Sequence, residues 1–363
     1  MSEVAFNIPV NSVSFGQVSY GILNALYKKD PTKNYPIFPI GGQVDLAAYK
    51  VEQGFVDWLQ KNINSAQSVH SRKTPIVKLW HLMGSLESFS EKQNLITFFE
   101  LDNLIHNEIN VIKNQNKVFV TSNYTKQIFE DFGAKNVVYC PLGFDSTHFF
   151  DTKKKYFSDG RISFLLPAKL EHRKRTLKTL ATWAKKYGNS HKYHLNAAIS
   201  NVFMKSEDQN ALINQALQGK KYWNINLLPF LPQNLQVNDL LNSCDIVLGM
   251  SGGEGFGLME MHSLALGKHG VILNAHAYKD YATEENSVLV SPNGKIPVYD
   301  NIFFRQGTGW NQGQIYDWDE EDFLEGCEAA IKRVEKDRVN TEGLKLQEKF
   351  SYHKTVDVIL ENI

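Results

Sequence analysis

The sequence predicts an α/β protein made of two doubly wound domains facing each other. Three observations carry that prediction. The chain has 363 residues, about twice the common domain size. Apolar runs of strand length alternate with longer amphipathic stretches throughout, the pattern of parallel β/α units. A polar, charged connector at residues 146–160 separates an earlier set of such units from a later one.

Residues 4–10 read as the first strand, and Ser14 and Gly16 lead into a helix on which Val18, Ile22, Leu23 and Leu26 recur at helical spacing. Strands are predicted next at 76–80, 95–99 and 117–121, and Ser122 with Asn123 caps a helix over 124–132 that Gly133 closes. A short strand at 137–139 runs into the turn Pro141-Leu142-Gly143-Phe144-Asp145, where the first half ends. The second half opens with a strand at 161–166 and continues with strands at 194–199, 225–228, 245–250, 271–273 and 287–290. A helix is predicted at 237–241, and residues 319–360 read as largely helical. In open parallel sheets ligands sit outside the carboxyl ends of the strands, so the loops that follow strands are where chemistry is to be sought.

Bulk properties exclude several function classes. Lysine plus arginine and aspartate plus glutamate both total 39, so no global field draws the chain to nucleic acid or to an acidic membrane. The densest basic stretches are Lys153-Lys154-Lys155, which reads as a solvated face, and the run from His172 to Lys186. No segment approaches the roughly 18 apolar residues of a membrane span. Met1-Ser2-Glu3-Val4-Ala5-Phe6 has no basic region followed by an apolar core, so a cytoplasmic location is expected. Cys140, Cys244 and Cys327 are widely spaced and odd in number, which predicts reduced, mostly buried thiols and no zinc site.

The strongest chemical signal runs from Cys244 to Leu258: an apolar strand, a loop with glycines at 252, 253, 255 and 257, then a helix. Such glycines let the backbone approach a ligand closely. A helix starting near Gly257 offers unpaired N–H groups and a partial positive charge to a diphosphate. A tight turn that binds nothing would use the same glycines; Glu254 inside the loop is what turn sterics leave unexplained.

Glu254-Gly255-Phe256-Gly257-Leu258, followed by a helix to Ala265-Leu266-Gly267, resembles the donor-binding motif of glycosyltransferase family four and related retaining GT-B enzymes, in which two glutamates flank seven residues. The resemblance implies the GT-B fold, two facing Rossmann-like domains with a C-terminal helix crossing back to the first. It implies that Glu254 hydrogen-bonds hydroxyls of the transferred sugar. Backbone at Gly253, Gly255, Phe256, Gly257 and Leu258 would meet the sugar and phosphates. The second family glutamate falls at position 262, where this chain has His262. A neutral imidazole can exchange one hydrogen bond with a ribose; a packed histidine without a ligand is the other reading. Glu260 lies two residues away, about 200° around the helix, on another face.

Upstream, the segment from Phe164 to Leu177 resembles the family stretch in which a basic residue closes the first strand of the second domain and a lysine follows five residues later. Lys169 and Lys174 match those positions, and fixed cations there would stabilise a departing nucleoside diphosphate without a metal. Lys169 stands where the family more often has arginine, and Arg175 where it often has glycine. Leu228-Pro229-Phe230-Leu231-Pro232 resembles the loop that passes Leu231 along the nucleobase. Gly16, in Ser14-Phe15-Gly16-Gln17-Val18-Ser19, occupies the loop where related enzymes admit donor phosphate, and a plain turn fits equally. His81 and Glu100 follow apolar strands and are candidate sugar or acceptor contacts. Phe350-Ser351-Tyr352-His353 resembles the start of the crossing helix.

The expected organisation is an acceptor-side domain at 1–145, a donor-side domain at 146–345 and a returning helix at 346–363. The resemblance, which spans roughly residues 115–363, implies a hexosyl- or pentosyl-transferase that moves a sugar from a nucleoside-diphosphate sugar to an acceptor hydroxyl with retained configuration. The nucleotide sugar is a co-substrate, and no cofactor or metal is required. The acceptor class stays open among saccharide, lipid, protein and modified DNA. Two alternatives stand beside this reading. One is the same fold glycosylating hydroxylated bases in DNA, as phage enzymes do, against which the balanced charge counts. The other is a catalytically silent relative that binds nucleotide or carbohydrate.

Overall fold

Strands buried on both faces of a parallel sheet need nearly continuous apolar sequence, and the central strands of this chain supply it. The computed structural model describes residues 4–154, 156 and 160–363. Met1 to Glu3, used in reading the N-terminus, and Lys155 of the lysine run lie outside the described residues.

The first sheet contains β1 (Ala5–Val10), β2 (Ile37–Val44), β3 (Ile76–Leu79), β4 (Gln93–Thr97), β5 (Lys117–Val120) and β6 (Val137–Tyr139), in the order β2-β1-β3-β4-β5-β6. The second contains β7 (Ile162–Leu166), β8 (Tyr193–Ala197), β9 (Ile225–Leu227), β10 (Ile246–Gly249), β11 (His269–Leu273) and β12 (Val288–Val290), in the order β12-β11-β10-β7-β8-β9. All pairings within both sheets are parallel. Each sheet therefore reverses its strand order once, between β1 and β3 in the first and between β7 and β10 in the second. Those reversals open crevices at the carboxyl ends of the strands.

Helices cover the sheets as the apolar spacing requires. The helix Ser14–Lys29 buries Val18, Ile22, Leu23 and Leu26. Ser122 caps the helix Asn123–Asp131 by accepting the Thr125 amide. The helix Tyr352–Glu361, capped by Ser351, packs on Ser14–Lys29, so the chain does return to its first domain. Phe350 and Thr355 fasten that crossing: the Phe144 amide donates to the Phe350 carbonyl at 2.9 Å, and the Thr355 hydroxyl to the Pro141 carbonyl at 2.7 Å.

Several elements depart from the sequence reading. The strand expected at 95–99 starts two residues earlier, because buried Gln93 and Asn94 have partners for their amide N–H groups: Gln93 donates to Gln115 at 3.0 Å, and Asn94 to the Ile76 carbonyl at 3.2 Å. Strand β2 was not expected, since Pro39 and two glycines interrupt it; it is an edge strand, where proline is tolerated. The helices Gln53–Asn64 and His106–Lys113 were also missed. So was an antiparallel hairpin of β13 (Pro292–Pro297) and β14 (Gln314–Trp318).

That hairpin and its connecting loop touch both domains. Lys295 pairs with Asp102 at 3.0 Å, and the amides of Gln314 and Asn311 donate to Asp102 and Glu108 at 2.8 Å each. On the other side Arg175 makes a two-pronged contact with Asp317, both bonds at 3.1 Å. Cys140, Cys244 and Cys327 are buried free thiols, as expected. Lys153 and Lys154 form exposed pairs with Asp151 and Asp239. Among the described residues no helix is long and apolar enough to cross a membrane.

Candidate active site

The crevice of the second sheet lies between the loop after β7 and the loop after β10, and those loops carry the two motifs singled out in the sequence. The loop at 251–257 is held from both sides. A Cβ at Gly253 would lie 2.7 Å from the Glu100 carbonyl of the first domain, so only glycine allows that approach. The Thr121 hydroxyl donates to the Gly255 carbonyl at 2.6 Å, a second tie across the domains. On the far side the Tyr316 amide donates to the Gly252 carbonyl at 2.9 Å, and the Trp318 indole N–H to the Met250 carbonyl at 3.0 Å. The helix Leu258–Ala265 then starts directly from the loop, with Gly257 left-handed at φ +88°.

Within this frame Lys174 Nζ donates to Glu254 Oε1. Arg173, which the sequence reading placed in the basic run without a role, is the organising residue. Its Nη1 donates to the Gly253 carbonyl at 2.7 Å, and its own carbonyl accepts the Gly252 amide at 2.9 Å. Its guanidinium stands 3.3 Å from Glu171, 3.7 Å from Glu100 and 3.8 Å from Glu254. Burial alone would raise the Glu254 pKa, but Lys174 and Arg173 outweigh it and hold the carboxylate below its usual range. Burial likewise opposes the Arg173 charge, and the three carboxylates more than restore it.

Lys169 stands apart. Among the described residues it has no ion-pair partner within 4 Å; its Nζ lies 5.5 Å over the Phe203 ring. Burial lowers its pKa. Arg175 takes φ +53° just before the helix Thr176–Tyr187, a left-handed position that explains why glycine suits it elsewhere; here the Asp317 contact holds the arginine.

The remaining expected residues divide. Glu100 reaches the cluster through Arg173, and exposed His81 packs at 4.5 Å on Phe15 beside the reversal of the first sheet. The Phe256 side chain is buried, 5.6 Å from Tyr281 and 6.0 Å from Phe350, leaving its backbone to the loop. Gly16 lies in the first turn of its helix, where the Asn11 carbonyl occupies the space a Cβ would need. Leu231 is half-buried in the loop after β9.

His262 is not turned to a ligand. It is buried between Phe149 at 4.3 Å and Phe144 at 5.2 Å. Its Nε2 accepts the Asp145 amide at 3.2 Å, so its Nδ1–H donates to the Leu258 carbonyl at 2.6 Å. That assigns one neutral tautomer, and burial lowers its pKa accordingly. Both nitrogens are used within the chain, so the ribose contact expected of His262 has no atom to make it. The physical reason is that position 262 faces the interdomain turn. His262→Leu should cost about 1–3 kcal/mol of stability in urea unfolding, by stranding the Asp145 amide, while leaving affinity for a nucleoside diphosphate within about twofold. A tenfold loss of nucleoside-diphosphate affinity would return this residue to the ribose.

Two further buried groups lie behind Glu254. Glu260 accepts the Tyr278 hydroxyl at 2.9 Å, and burial reinforced by the Glu254 charge pushes its pKa up to about 7. His276, at φ +39°, shares a 2.8 Å bond with the Ser251 carbonyl, and burial pushes its pKa down to about 4. Their effects on folding have opposite signs. Glu260 binds its proton more tightly when folded, so its contribution is full below about pH 4.5 and is lost as pH rises through 7. His276 binds its proton less tightly when folded, so its contribution is present above pH 6.5 and is lost as pH falls toward 4. Between these limits the two offset. Glu260→Gln removes one partner: its stability relative to the parent should improve by on the order of a few kcal/mol from pH 4.5 to 8, measured by urea unfolding. A pH-independent difference would show that Glu260 titrates normally.

No protein-family model matches the sequence, and no curated protein matches it. Solved structures do. A sucrose-phosphate synthase from Thermosynechococcus elongatus superposes with a TM-score of 0.66 at 12% identity, over 99% of this chain and 98% of that one. HepE from Anabaena, solved in complex with UDP and glucose, gives 0.66 at 12% identity, over 99% of both chains. The catalytic domain of starch synthase IV from Arabidopsis thaliana, bound to ADP and acarbose, gives 0.64 at 11% identity, over 99% and 98%. The chain thus has the two-domain GT-B architecture of these glycosyltransferases, along its whole described length.

Proposed function

We propose that this protein transfers a sugar from a nucleoside-diphosphate sugar to an acceptor hydroxyl with retention of anomeric configuration. The observation that carries the reading is the convergence of Glu254, Lys174 and Arg173 at the N-terminus of the helix Leu258–Ala265, in the crevice between two facing domains. A diphosphate seated there meets two fixed cations, a helix N-terminus and, nearby, the unpaired Lys169. Lys174 changes partner as it arrives: phosphate oxygens take the ammonium, and the released Glu254 oxygens accept hydrogen bonds from the sugar hydroxyls. As the glycosidic bond breaks, the same cations stabilise the charge gathering on the leaving group. With the carboxylate set given to sugar orientation, same-face attack assisted by the leaving phosphate is the route this site supports. The structures of HepE with UDP and glucose and of starch synthase IV with ADP and acarbose support the same donor chemistry.

A panel of nucleotide sugars tests this directly. The matching donor, at about 100 times its Kd, should raise folding stability by about 2.7 kcal/mol, read as a thermal shift. With acceptors supplied, NMR of the product should show the donor's anomeric configuration. Binding without transfer or donor hydrolysis would make the protein a silent carbohydrate or nucleotide binder, and an inverted product would remove the same-face route.

A further inference from the structure

Beside the connector between the domains, a cavity of about 220 Å³ is lined by Tyr20, Asn24 and Lys28 of the helix Ser14–Lys29, by Lys50, Val51, Glu52 and Phe55, and by Thr147 of the connector. Its chemistry is asymmetric. Lys28 and Lys50 are exposed and, among the described residues, neither has a carboxylate within 4 Å; Glu52 is the one acidic group in the wall. Lys28 Nζ and the Asn24 amide both point at the Thr147 hydroxyl, at 3.2 and 3.4 Å. Tyr20 is only 3% exposed, its ring stacked at 4.3 Å on Tyr49, and among the described residues its hydroxyl has no hydrogen-bond partner. A phenol in the cavity wall with no partner among the described residues is free to donate to an acceptor that enters from outside.

We propose that this cavity binds a phosphate group, free or carried as the monoester of a small molecule. Its oxygens lie between the Lys28 and Lys50 ammonium groups and accept from the Tyr20 hydroxyl and the Asn24 amide, with the Phe55 ring beside any organic part. Phosphate matches this donor set because it offers several acceptor oxygens to separated donors at once. The position gives binding a mechanical context. Lys50 donates its amide to His148 Nε2 at 2.8 Å, His148 Nδ1 bonds Asp145 at 2.7 Å, and the Asp145 amide bonds His262 on the donor-side helix. A ligand across Lys50 and Thr147 would therefore brace the connector between the domains.

Calorimetric titration of the full chain with inorganic phosphate and, separately, with glycerol 3-phosphate tests the site; the tighter of the two identifies the source of the phosphate. Lys28→Gln/Lys50→Gln changes only exposed side chains and should weaken binding about tenfold or more. Tyr20→Phe keeps the stacked ring and should weaken it several-fold. Lys174→Gln, which disables the cleft's own phosphate-binding cation, should leave this binding unchanged. The proposal is overturned if neither probe binds saturably, if either the lysine pair or Tyr20 can be changed without effect, or if Lys174→Gln abolishes the binding.

Discussion

Glu254→Gln should lower kcat by about 10²–10³-fold while leaving UDP affinity unchanged or tighter. The variant keeps the side chain's volume and one acceptor oxygen, so Lys174 and Arg173 stay packed. What it loses is the negative charge that sugar hydroxyls would meet, and charge-assisted bonds of that kind contribute about 1.5–3 kcal/mol each. Removing a carboxylate also leaves two cations with less to neutralise, which favours a diphosphate. Alanine at this position is a poorer test, because it would strand Lys174 and Arg173 beside a void, and breaking a buried ion pair costs about 3–5 kcal/mol. Lys174→Gln supplies the contrast: it should weaken UDP binding and turnover together. The measurement is steady-state kinetics with the matched donor, alongside calorimetric Kd values for UDP. Turnover unchanged in Glu254→Gln would remove this residue from the chemistry, and weakened UDP binding would make it a nucleotide ligand.

This pair of variants tests a feature that was only half legible in the sequence. Glu254 and Lys174 sit in motifs whose strand-loop-helix setting is written locally, in apolar runs and glycines. Arg173 is not, because its three carboxylates come from loops after β4, β7 and β10, and nothing in a run of basic residues singles out the one on which they converge. The same limit explains the fold. Strands such as Ile246–Gly249, apolar on both faces, were plain. Ile37–Val44 was hidden by the proline and glycines an edge strand tolerates, and Gln93–Thr97 by amides whose partners lie on other elements. The hairpin at 292–318 is held by Asp102, Glu108 and Asp317 pairs spanning both domains, long-range contacts that leave no periodicity to read. His262 shows the reverse error: its motif position pointed to a ligand, while its ring was committed to the connector at Asp145.

Gly257→Ala should destabilise the protein by about 2–5 kcal/mol. Two independent terms add there. An L-residue in the left-handed region costs about 1–2 kcal/mol. A Cβ at this site would also lie 2.5 Å from the Tyr278 ring and 2.6 Å from the Tyr281 hydroxyl, and overpacking of that kind costs about 1–3 kcal/mol more. Both tyrosines are buried, and Tyr281 donates to the Gly257 carbonyl at 3.0 Å, so neither can swing aside without losing a bond or a packed face. Gly219→Ala isolates the first term. Its φ of +71° has the same sign, but nothing lies within 4 Å of its Cβ position, so its loss should stay near the conformational cost alone. Urea unfolding of the two variants therefore separates backbone strain from packing. If Gly257→Ala costs no more than Gly219→Ala, the tyrosine wall behind the loop yields, and the helix N-terminus that the donor diphosphate would meet is held less rigidly than this packing requires.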